Sequence, residues 1–249
     1  MTVGLRKVGL VAGLTASGFT RDRGFWTAVI VACLAAGLGG WWRDINFGSE
    51  PGRFVFTFGL SVQSLGVIIL AIVMIGQLKA RQTSTGHAEV LWARGVLPSI
   101  VVAGEVLGLV VLLAVFVGGS AIVLGIVLVA GGNSPNGGEL VIASGMQWVK
   151  GAVVVALGRW CSAFGRSLFF VMVATALFSV VGHLKTWTET LGGLGWWFTR
   201  PIPNLSWLGQ SGYSSGHFDV VAALGTLGYA AGYIMIFLFL AAKAEGRRE

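Results

Sequence analysis

The sequence predicts an all-α, polytopic membrane protein with six transmembrane helices, and three observations carry that expectation. Of the 249 residues, 55% are hydrophobic and only 11% charged, at a mean hydropathy of +0.82; a water-soluble domain of this size carries far more charge. The apolar runs reach the roughly 20 residues that a helix needs to cross about 30 Å of hydrocarbon, and they lack the alternation of a barrel strand. Lysine and arginine sit in short clusters at the ends of those runs. The net charge of +7 therefore reads as orientation in a membrane rather than as one basic face for nucleic acid, which is not an expected partner.

Residues 1–23 place Leu5, Val8, Val11 and Leu14 near helical spacing, with Arg6, Lys7, Arg21 and Arg23 around them, as expected of an amphipathic segment lying in the interface. The stretch after Lys7 is broken by Gly, Thr and Ser and has no small-residue cleavage site, so no leader is expected to be removed. The first span is expected at 25–40, bounded by Trp26 and by Trp41 and Trp42 at headgroup level. A polar connection with Asp44, Glu50 and Pro51 leads to the second span, 54–78. Pro98, a favoured residue in a first helical turn, opens the third span, 98–130. At 33 residues it exceeds one membrane thickness, so it extends beyond the lipid or breaks near Gly118 and Gly119.

GGNSPNGGE, 131–139, is a turn region. The polar stretch from Arg159 to Ser167 is the natural place for a reversal between a fourth span, 141–163, and a fifth, 168–184. Residues 185–217 hold Gly, Pro and the tryptophans Trp187, Trp196, Trp197 and Trp207, which fits an outer interfacial loop or short helix. The sixth span, 218–241, ends in KAEGRRE. With the N-terminus inside, twelve of the seventeen basic residues fall on the cytoplasmic side, and both termini are expected there. The chain reads as a single transmembrane domain over 1–249.

Several chemical motifs dissolve under scrutiny. Gly212 to Gly216 spells GxSxG, with His217 and Asp219 behind it, but no strand precedes the serine and adjacent residues cannot form a relay. His87, His183 and His217 share no helical face, so neither a metal nor any other cofactor is expected in this chain. No phosphate loop of the Gly-Lys-Ser or Gly-Lys-Thr kind exists, so the chain is not expected to be an enzyme or to hydrolyse nucleotide. Cys33 and Cys161 read as small core residues. Gly104 to Gly108 and Gly228 to Gly232 are GxxxG patterns that permit close helix approach.

Three charges fall well inside predicted spans, away from the first turn. Glu105 stands about two turns into the third, where a carboxylate needs a partner or water, and Arg159 in the fourth is the expected partner. The pair reads as an inner-interface tie or as part of a substrate path. Lys150 is expected to snorkel outward.

The block from Lys79 to Glu105 interrupts two of the longest apolar runs. Its elements are Arg81 leaving the second span, Thr85-Gly86, then Glu89-Val90-Leu91, Pro98, and Gly104-Glu105 at the third span. In this arrangement it resembles the loop between the second and third spans of type-2 ABC exporter permeases. Glu105 stands where that family has lysine, and Arg94 to Pro98 is a loose version of its proline element. The order of an interfacial segment, six spans, an aromatic outer loop and an Arg-rich tail is similar as well.

The resemblance implies a permease in a bacterial plasma membrane, pairing with a second copy of itself or a homologous subunit among the membrane lipids. Two copies of a separate ABC ATPase would hold the ATP and magnesium. It also implies a short cytoplasmic coupling helix that docks on the ATPase, formed by Thr85, Gly86, His87, Glu89, Val90, Leu91, Trp92 and Arg94, with Val90, Leu91 and Trp92 as apolar anchors. The same segment also reads as a helix lying on lipid headgroups. Two other classes compete: an ion-coupled carrier working through Glu105, for which the two halves show no repeat, and a non-transporting scaffold. The sequence names no substrate and no direction of transport.

Overall fold

A computed structural model describes residues 2–38, 51–86, 90–91, 93, 95–132, 137–165, 167–185, 199, 201–208 and 220–247. The described residues are helical, with no strand among them. The helices are α1 Thr2–Thr20, α2 Arg23–Gly37, α3 Pro51–Thr85, α4 Pro98–Ala130, α5 Gly137–Phe164, α6 Leu168–His183 and α7 Val220–Glu245. Four of them, α3, α4, α5 and α7, are long and apolar enough to cross a membrane; α2 and α6 are shorter apolar helices.

Two helix ends differ from the sequence expectations in the same way: helix continues into charged residues. The second predicted span stops at 78, yet α3 runs on through Lys79 and Arg81 to Thr85. The last predicted span stops at 241, yet α7 takes in Lys243 and Glu245. Arg159 lies within α5, which reaches Phe164 before the chain turns. There the Gly165 N–H closes on the Cys161 carbonyl at 2.9 Å, and a Cβ on Gly165 would stand 2.6 Å from the Phe170 ring. Helix α4 is unbroken at Gly118 and Gly119 over its 33 residues, a length of about 50 Å at 1.5 Å per residue. Its polar residues Glu105 and Ser120 are hydrogen-bonded to neighbouring helices, and the helix runs through both.

Helix α5 is the centre of the bundle and packs against α3, α4, α6 and α7. It approaches α3 and α4 through glycine: a Cβ on Gly151 would lie 2.5 Å from Val67 and 2.8 Å from Leu113. Val153, Val154 and Val155 are buried in a core shared with Val67, Met74 and Ile75 of α3 and Leu109, Leu113 and Phe116 of α4. Two polar side chains inside this packing are tied across helices, which offsets the cost of burying them. Gln63 Nε2 donates to the Val117 carbonyl at 3.1 Å and to Ser120 Oγ at 2.8 Å, and Trp148 Nε1 donates to the Val110 carbonyl at 2.8 Å.

Helix α1 lies on α4. The Gly104 to Gly108 pattern lets them meet, since Cβ atoms there would fall 2.5 Å from Val11 Cβ and 2.7 Å from the Ala12 carbonyl. Among the described residues the Gly228 to Gly232 pattern meets nothing within 4 Å. Residues 201–208 fold against the end of α6 and the N-terminal half of α7. The Leu205 N–H donates to the Gly182 carbonyl at 3.0 Å, the Asn204 N–H to the Tyr229 hydroxyl at 2.7 Å, and Lys185 Nζ to the Ile202 carbonyl at 2.7 Å. Leu205 and Leu208 are fully buried there.

Candidate functional site

Four helix ends converge on Arg159. Its side chain has no solvent exposure, and Nε donates to Glu105 Oε2 of α4 at 2.7 Å while Nη2 bonds Glu245 Oε1 of α7. Gln82 of α3 donates from Nε2 to the other Glu105 oxygen at 2.9 Å. Arg159 Nη1 reaches Ser162 Oγ at 3.4 Å, and the carbonyl of that serine accepts from Lys79 Nζ at 3.1 Å. Two cations and two carboxylates thus join α3, α4, α5 and α7 in one buried cluster. A guanidinium suits this position because its fork of donors bridges two carboxylates, and each is costly to bury alone.

The cluster fixes relative direction. Helices α3, α5 and α7 end at it and α4 begins near it, so Thr85, Pro98, Phe164 and Glu245, the helix ends, share one face of the bundle. Helix α1 reaches this face too. The Arg81 guanidinium stands over the Phe19 ring at 4.5 Å and pairs with Asp22 at 3.7 Å. Around Arg159, Trp160 contacts Phe164, Phe178 and Phe237 with ring centroids 5.6–6.1 Å apart, an aromatic seam across α5, α6 and α7.

Of the segment predicted to dock, Thr85 belongs to α3 as its last residue rather than to a separate helix. Gly86 follows at φ 58° and Gly95 stands at φ 70°, a left-handed backbone that glycine adopts without strain. Between them Val90, Leu91 and Ala93 are helical, with the Val90 N–H on the Gly86 carbonyl at 3.0 Å and the Val96 N–H on the Leu91 carbonyl at 3.1 Å. Val90 is half exposed. His87, Glu89, Trp92 and Arg94 lie outside the described residues, as do the GxSxG segment, His217 and Asp219.

Two further expectations change. Lys79 does not leave the bundle with the basic block but turns inward and is buried. Lys150 does not snorkel: it is 2% exposed, and its ammonium donates to Ser64 Oγ at 2.8 Å. Helix α5 is flanked on several sides, so a lysine at its midpoint has no short path to water. Among the described residues no group of histidine, cysteine and carboxylate side chains could hold a metal ion. The chain matches no family model and no curated protein.

Proposed function

We propose that the chain is the membrane subunit of an ABC exporter, with six spans, both termini cytoplasmic, in a bacterial plasma membrane. Two such subunits pair and receive energy from two separate ATPase subunits. One observation carries the reading: the helical turn around Val90 and Leu91, set between Gly86 and Gly95 with Val90 exposed, joins two helices that meet in a buried ionic cluster tying four helices. A push on that turn acts on the last turns of α3 and the first turns of α4 at once. Gln82 and Glu105 pass it to Arg159, and Arg159 to α5 and α7. A contact-driven permease needs such a route from a docking element to its spans. The ion-coupled carrier has less support, because both oxygens of Glu105 are engaged, by Arg159 and by Gln82.

Replacing Val90, Leu91 and Trp92 with Asp is the test. The altered chain is expected to insert normally and to lose its ATPase partner in a detergent pull-down. Unchanged retention of the ATPase by the triple variant contradicts docking through this turn, and failure of the unaltered chain to retain any ATPase contradicts the class.

A further inference from the structure

Lys150 is a buried ammonium whose hydrogen bond goes to a neutral hydroxyl, Ser64 Oγ. Among the described residues no carboxylate stands within ion-pair distance of it. A cation held this way out of water lacks the counter-charge that normally offsets its desolvation. One turn away on the same face of α5, Gln147 is 2% exposed and its Oε1 has no hydrogen-bond partner among the described residues. Both side chains line a cavity of about 650 Å³ between α3, α5 and α6, a volume within the roughly 300–1,000 Å³ of small-molecule sites.

The cavity is polarised along its length. Helices α3 and α5 run in the same direction, as the Lys150–Ser64 and Lys79–Ser162 contacts require. Helix α6 runs against them, with Met172 near Gly76 and His183 at the far end. One end of the cavity therefore gathers Ser61, Ser64, Gln147, Lys150 and His183, and the other Ile68, Ile69, Ile72 and Ala176. From Ser61 to Ile72 the axis of α3 rises about 16 Å, the length of an extended acyl segment rather than of a compact solute. The rim is apolar and open: Leu65, Ile69 and Val180 are each more than half exposed. Leu65 and Ile69 stand on α3, which is long and apolar enough to cross a membrane, and Val180 on the shorter apolar α6.

We infer that this cleft binds an amphiphile whose headgroup carries an anion and a neighbouring hydroxyl, as a phosphoglycerol does. The anion sits against Lys150 and Ser64, the hydroxyl donates to Gln147 Oε1, and the chain lies along Ile68, Ile69 and Ile72. The ligand enters sideways between α3 and α6. Binding here concerns the chain alone and does not depend on the transport reading.

The experiment uses the full chain in nanodiscs of equal phosphatidylglycerol and phosphatidylcholine, released into detergent, with retained lipid read by native mass spectrometry. Phosphatidylglycerol is expected to be retained over phosphatidylcholine, with the preference falling about ten-fold in Lys150→Gln, since a hydrogen bond to a charged group is lost. It falls also in Ile69→Trp, which narrows the apolar end and leaves the polar end intact, and persists in Lys150→Arg. Should Lys150→Gln fail to fold, Ile69→Trp and Ser64→Ala carry the test. Equal retention of the two lipids, or a preference unchanged in the variants, overturns the inference. So does full displacement of the lipid by millimolar inorganic phosphate, which would reduce the cleft to a site for a free anion.

Discussion

Two buried cations on α5, Arg159 and Lys150, lie nine residues apart and have opposite surroundings. Arg159 is bracketed by Glu105 and Glu245 and reaches Ser162 besides. Lys150 has a serine hydroxyl on one side and a cavity on the other. The first arrangement spends its charge on holding helices together; the second leaves charge available to something that enters. In an apolar bundle, the partners of a buried charge say more about its role than its depth does.

The largest way to break the comparison is Arg159→Met. It leaves two buried carboxylates facing each other without their shared cation, and about 3–5 kcal/mol of stability is expected to go. Thermal unfolding in detergent measures it. Second comes Gly151→Val, one residue from Lys150. Its Cβ would stand 2.5 Å from Val67 and 2.8 Å from Leu113, and such overpacking costs about 1–3 kcal/mol. It also shifts α5 against α3, so it should disturb both cations together.

Glu105→Gln is expected to cost less than Arg159→Met, because Glu245 still compensates the guanidinium. One charge-assisted hydrogen bond is weakened, with a loss of about 1.5–3 kcal/mol. If Glu105→Gln instead destabilised the chain as much as Arg159→Met, the cluster would depend on that single pair rather than on the triad. The smallest expected effect belongs to Gln147→Leu. It removes a buried oxygen that has no partner among the described residues, so stability in a neutral lipid should move by less than about 1 kcal/mol.

Sequence reasoning reached the pairing of Glu105 with Arg159 because both residues stood out from apolar runs and the topology put them at one level. It missed Glu245, read only as part of a short Arg-rich tail, since a short charged segment carries no hydropathy signal. A signal existed all the same: Phe237, Ala241 and Glu245 recur every four residues, and all three are buried on one face of α7. Lys150 was misjudged for a related reason. Hydropathy reports depth but not facing, and only the spacing of Ser144, Gln147 and Lys150 hinted that a polar stripe of α5 points inward. The bounds of α4 were legible because a long, mostly apolar run lies between Pro98 and Gly131. The overrun of α3 to Thr85 was not, because Lys79 and Gln82 look like residues leaving a membrane until their partners on α5 and α4 are in view.

The most direct measurement of the contrast between the two cations is the unfolding temperature of the unaltered chain, Lys150→Gln and Arg159→Gln, each in phosphatidylglycerol and in phosphatidylcholine nanodiscs. A ligand that binds only the folded state raises that temperature by mass action. The unaltered chain is expected to gain stability in phosphatidylglycerol, Lys150→Gln to lose that gain while matching the unaltered chain in phosphatidylcholine, and Arg159→Gln to be less stable in both. If Lys150→Gln were instead destabilised equally in the two lipids, as Arg159→Gln should be, Lys150 would be a structural tie like its neighbour and the contrast would fall.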